Sequence, residues 1–92
     1  MKNYLIQRHI PGLGMLSKEQ LKEAACVSNQ ALEKLGGRVV WDHSFVTQDG
    51  TWCSYRADSV AAIEEHARLS GFPATQIIEV VDIIGPQTAS GG

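Results

Sequence analysis

The chain has 92 residues, 43% hydrophobic and 20% charged, with a formal net charge of -2 and a pI near 5.8. That describes one small domain, and the acidic balance argues against duplex nucleic acid or an anionic membrane as partner, since both call for a basic surface. No apolar run approaches the ~20 residues that span a bilayer. The opening Met1-Lys2-Asn3-Tyr4 lacks the apolar stretch of a secretory signal, so a cytoplasmic location is expected.

In chain order, Asn3–His9 alternates weakly, Tyr4 and Ile6 against Leu5 and Gln7, and predicts a first strand. Ile10-Pro11-Gly12-Leu13-Gly14 breaks it. The glycines before a helix suggest a phosphate loop, but the third glycine and the lysine of such motifs are missing, and a turn is the better reading. Ser17 and Gln20 form a capping box. Leu21, Ala24, Ala25, Ser28, Ala31, Leu32 and Leu35 then follow on one helical stripe until Gly36-Gly37 stops it. Arg38–Thr47 is a second strand, Gln48-Asp49-Gly50 a hairpin turn, and Thr51–Ala57 a third strand. With a two-residue turn at Asp49-Gly50, Val46 would face Cys53 and His43 would face Arg56. His43 would then share a face with Trp41, Phe45, Trp52 and Ser54, but a one-residue slip would reverse the faces. Asp58 or Ser59 caps a second helix with Val60, Ile63 and Ala67 inward, ended by Gly71. Phe72-Pro73 leads into a fourth strand, Ile77–Ile84.

That last segment is apolar on both faces: Ile78, Val80 and Ile84 would point one way, and Ile77, Val81 and Ile83 the other. The order β-α-β-β-α-β predicts a single ferredoxin-like α+β domain over residues 1–86, with a loose tail over 87–92. Right-handed crossovers place both helices on one face of a four-stranded antiparallel sheet. The other face, greasy and uncovered, predicts a homodimer: two sheets stacked ~10 Å apart as a dimeric α+β barrel, with a cavity between them.

Several side chains can carry chemistry. Imidazole and thiolate ligate nickel, copper and zinc, which makes His9, His43, His66 and Cys53 candidates, and Glu79 could complete a set. None of them has tight ligand spacing. Cys53 also reads as a small buried hydrophobe. Cys26 falls opposite the helical stripe, and the two cysteines are expected to remain thiols. Tyr4, Trp52 and Tyr55 suggest the base-stacking sheet of an RNA-recognition motif. The third strand lacks that motif's glycine and basic residue, so core or interface aromatics explain them better.

A family resemblance runs through Tyr4-Leu5-Ile6, Arg8-His9-Ile10-Pro11-Gly12 and Trp41-Asp42-His43-Ser44-Phe45-Val46-Thr47. It continues through Trp52-Cys53-Ser54-Tyr55, Glu65-His66-Ala67-Arg68 and Gly71-Phe72-Pro73-Ala74. These segments resemble a family of small bacterial ferredoxin-like domains, itself similar to a nickel-binding dimeric α+β barrel protein. The resemblance implies nickel, or another divalent transition metal, held near His9, His43, His66 and Glu79. Cys53 joins that set on its chemistry alone.

The expected function is therefore a non-enzymatic homodimer that binds Ni(2+). An alternative is a barrel enzyme or small-molecule binder, its ligand in the cavity between the sheets and His43 its acid/base. A purely structural or partner-binding module is the third reading.

Overall fold

The computed structural model describes residues 1–91. Strand β1 (Lys2–His9) leads through a 3-10 turn (Leu13–Met15) to helix α1 (Lys18–Lys34). Strands β2 (Val39–Thr47) and β3 (Gly50–Ala57) form a hairpin, followed by helix α2 (Val60–Ser70) and strand β4 (Gln76–Val80). All pairings are antiparallel, in the order β2-β3-β1-β4. This is the expected ferredoxin-like α+β arrangement.

The helix boundaries follow from local chemistry. The Ser17 hydroxyl accepts from the Gln20 amide while the Gln20 side chain accepts from the Ser17 amide, completing the capping box. For α2 the cap is Ser59, whose hydroxyl accepts from the Ala62 amide. Gly12-Leu13-Gly14 is a turn that packs on the hairpin, the Gly14 amide donating to the Gln48 carbonyl.

The core lies between the helices and one sheet face, where Tyr4, Ile6, Val39, Cys53, Tyr55 and Ala57 meet Ala31, Leu35, Ala62 and Ile63. Complete burial of Ile6 and Ile63 is worth ~2–3 kcal/mol each. On α2 the inward residues are Ala62, Ile63 and His66, whereas Val60, expected inward, is 43% exposed. It stands in the first turn, one step before the buried stripe begins.

Three further expectations are corrected. The fourth strand ends at Val80 rather than Ile84, where its pairing with Asn3 of β1 stops. Val81, Ile83 and Ile84 therefore leave the sheet and are 92%, 74% and 76% exposed. Pro86–Ser90 beyond them forms an exposed 3-10 helix, and Gly92 lies outside the described residues.

The hairpin turn is Gln48-Asp49, not Asp49-Gly50, so Val46 faces Thr51 and His43 faces Ser54. Gly50 belongs to β3 and pairs with His9, where a Cβ would collide with the Arg8 carbonyl oxygen. Only glycine fits that crossing.

A bulge at Asp42 interrupts the β2–β3 ladder. Trp41 pairs with Tyr55 on the helix side, whereas His43 and Phe45 take the open face with Trp52 and Ser54. Trp41 is thus removed from the face on which the sequence placed it.

Candidate functional site

The two faces of the sheet carry different chemistry. On the helix side, β1 puts Tyr4, Ile6 and Arg8 in one phase, so a guanidinium follows two core residues into the interior, where it is 3% exposed. Arg8 Nη1 donates to the carbonyl oxygens of Phe72 and Pro73, both at 3.1 Å. Its Nη2 lies 3.5 Å from the Tyr55 hydroxyl and 3.5 Å from His66 Nδ1. The guanidinium carbon sits 5.8 Å from the centre of the Tyr55 ring, within cation–π range.

His66 is fully buried. Because guanidinium only donates, Nδ1 must accept, which leaves the proton on Nε2. Nε2–H then points to Ser28, whose hydroxyl and carbonyl oxygens lie at 3.2 and 3.3 Å. Burial pushes the His66 pKa down; the Ser28 carbonyl opposes this and the nearby Arg8 charge adds to it. The ring is a neutral structural bridge from β1 to α1. Burial also raises the Tyr55 pKa, against the pull of Arg8.

Next to this network a cavity of about 240 Å³ opens between α1, the first turn and strands β2 and β3. Leu21, Ala25, Trp41, Val46 and Phe72 give it apolar walls, and Arg8, Ser28, Ser44, Thr51, Cys53 and Tyr55 bring polar groups to it. It lies within the chain, on the opposite side of the sheet from the inter-sheet cavity expected from the sequence.

The open face carries Leu5, Phe45, Trp52, Ile78 and Val80. Phe45 is 64% exposed, with the His43 ring edge-on to it at 5.3 Å. Arg56 on the same face makes an ion pair with Asp42 at 3.0 Å, drawing the bulged carboxylate beside His43 in sequence onto that side. His9 belongs to this face by its strand phase and is exposed. Among the described residues, the rings of His9 and His43 take part in no hydrogen bond.

The five candidate ligands therefore split. His9 and His43 stand on the open face, two rows apart. Cys53 is buried on the helix side, its sulfur 3.1 Å from the Thr51 hydroxyl. His66 has both ring nitrogens engaged within the protein. Glu79 shares the helix-side phase with Tyr4, and pairs at 3.4 Å with Lys2 at the exposed margin. Among the described residues, no three His, Cys, Asp or Glu side chains gather as a metal group within one subunit. By donor chemistry, the accessible imidazoles of the open face fit a borderline metal, and His66 does not.

The family described as "Nickel responsive protein SCO4226-like" matches residues 4–80. The chain belongs to the SCO4226-like family. The crystal structure of SCO4226 from Streptomyces coelicolor A3(2) is similar, with a TM-score of 0.73 at 19% identity, covering 89% of this chain and 99% of that one. At that identity the likeness concerns the fold. No curated protein matches the chain. The SCO4226-like family thus takes the place of the more general resemblance drawn from the sequence, and its description carries nickel responsiveness. Among the described residues, no helix is long and apolar enough to cross a membrane.

Sequence reasoning passed over the Arg8–Tyr55–His66–Ser28 network. Its signal was present: a charged residue in the apolar phase of β1, and a serine within the apolar stripe of α1. Neither says which partner it meets, because the four residues come from four separate elements.

Proposed function

We propose that this protein is a non-enzymatic homodimer that binds nickel, or another divalent transition metal, at the open face of its sheet. The observation that carries this reading is the segregation of histidines. The two accessible imidazoles, His9 and His43, share the one face that no element of the chain covers. Both helices lie on the other side, and the residues beyond β4 project away.

A second copy is the occupant argued for that face. The radius of gyration is 14.1 Å, against about 12 Å for a compact chain of this length. The segment beyond β4 contributes to the excess, and within it Val81, Ile83 and Ile84 are exposed. Burying that segment and the patch around Phe45 and Trp52 against a twin would remove both from water. A twin would also double the imidazoles. His43 and His9, with Asp42 next to His43 in sequence, would supply nitrogen and oxygen donors from two subunits, a set suited to nickel. The metal would bring charge, and the chain would bring imidazole donors and a partly dry surround. The family description, nickel responsive, points the same way. Cys26 and Cys53 are free thiols, which suits a reducing cytoplasm.

Calorimetric titration of Ni(2+) into wild type and His43→Ala, with light scattering of the same samples, tests the proposal. Binding tighter than ~100 µM, weakened at least ~10-fold by the substitution, is the expected result. Equal binding by the two proteins, or a monomer at micromolar concentration, would overturn it.

A further inference from the structure

We infer that each subunit also holds a ligand site unrelated to metal: the cavity beneath α1 takes a small monocarboxylate with a compact apolar body, its carboxylate held by Arg8.

Arg8 is buried, yet none of the ion pairs of the described residues includes it, and no acidic side chain lines the cavity. A buried cation is costly when unpaired, and carbonyl groups offset the cost without neutralising the charge. Donor capacity is also left over. Of its five N–H groups, the two on Nη1 serve the carbonyls of Phe72 and Pro73. The two Nη2 contacts, at 3.5 Å to Tyr55 and His66, lie at the outer limit of a hydrogen bond, and Nε makes none among the described residues. The missing species is an acceptor with negative charge, and a carboxylate matches guanidinium geometry.

The rest of the cavity decides the body of the ligand. Leu21, Ala25, Trp41, Val46 and Phe72 offer apolar contact. A volume of about 240 Å³ exceeds the roughly 150 Å³ apolar cavity that accepts benzene. One ring, or a six-carbon chain, with its carboxylate fits that space. Val46, 47% exposed on edge strand β2, marks the mouth. Few polar groups converging in an apolar pocket is the usual form of a small-molecule site.

The test is a titration of the full-length ¹⁵N-labelled protein with phenylacetate and hexanoate, and with 2-phenylethanol as the uncharged match. Saturable shifts of the Trp41 indole N–H, with a midpoint on the order of 1 mM or below, are expected for the acids. The Trp52 indole should not move, because it lies on the open face. The alcohol should bind at least ~10-fold more weakly, since it lacks the charge that Arg8 recognises. Ala25→Phe, which fills the cavity from α1 without touching Arg8, should abolish the shifts while the fold persists. Arg8→Lys should narrow the preference for acid over alcohol; where it fails to fold, Ala25→Phe decides. No saturation by about 10 mM, equal binding of alcohol and acid, shifts at Trp52 in place of Trp41, or binding unchanged by Ala25→Phe would each overturn the inference. The outcome is independent of nickel, which enters none of these readings.

Discussion

His66 and His43 are the same residue type on opposite sides of one thin sheet, and their surroundings give them opposite properties. His66 is closed in by Arg8, Tyr55 and Ser28, fixed in one tautomer and held neutral. His43 stands on the open face with a phenyl edge beside it, and among the described residues its ring nitrogens make no hydrogen bond. A histidine pinned from both nitrogens contributes to stability; one with free nitrogens is available to a ligand. The face of the sheet, more than the residue, decides the role.

The largest effect is expected at His66. His66→Ala would leave a cavity and strand the Arg8 and Ser28 groups it joins, lowering stability by about 2–4 kcal/mol in urea denaturation. Nickel affinity per folded molecule should be unchanged. A variant that lost nickel binding without losing stability would reverse the assignment of the two histidines.

On the open side, Phe45→Asp places a charge at the centre of the proposed subunit contact. The dimer should weaken by roughly 2 kcal/mol or more, a ~30-fold rise in dissociation constant seen by analytical ultracentrifugation. The fold of the subunit, and the environment of His66, should persist.

Acid sharpens the contrast next. Because the folded pKa of His66 lies below its unfolded value, the unfolded chain binds the proton more readily. Its contribution to stability is complete above about pH 6.5 and is lost as pH falls from there through the lowered folded pKa. Arg8, from β1, and Tyr55, from β3, are the ionisable groups facing the ring; Arg8 remains charged and the Tyr55 hydroxyl neutral through this window. The melting temperature should therefore drop on acidification, and His66→Gln should flatten that drop.

The smallest effect belongs to His43→Ala. Loss of an exposed ring should change stability of the metal-free protein by less than about 0.5 kcal/mol, measured at fixed protein concentration. Its consequence should be confined to nickel titration.

Much of the fold was legible because it rests on local patterns. Capping residues Ser17 and Ser59, the glycine stops and the strand alternation each constrain their own neighbours within a few residues. Helix α1, the β-hairpin and the two-layer order follow from such signals. What escaped had no local signal. The bulge at Asp42 moved Trp41 to the other face, and nothing in Trp41-Asp42-His43 announces it. The turn moved by one position because Gly50 has to pass the Arg8 carbonyl, a contact across 42 positions of sequence. The end of β4 was set by where its pairing with β1 stops, at Asn3 and Val80, rather than by its own apolar residues.

The candidate ligands show the same division. Their types were legible, and the chemistry of imidazole and thiolate is the same in any setting. Sorting them into buried and accessible sets required the sheet, because strand phase and register distribute neighbours to opposite sides.

By itself, then, the sequence determined the element order, the helix ends, the acidic charge balance and an apolar excess beyond what two helices can cover. Tertiary structure alone decided that Arg8 and His66 meet, that a cavity lies beneath α1, and that His9 and His43 share the uncovered face. The physical reason is range. Capping, turn and alternation preferences act between residues close in sequence, whereas burial, tautomer and counter-charge are set by groups that only packing brings within a few ångströms.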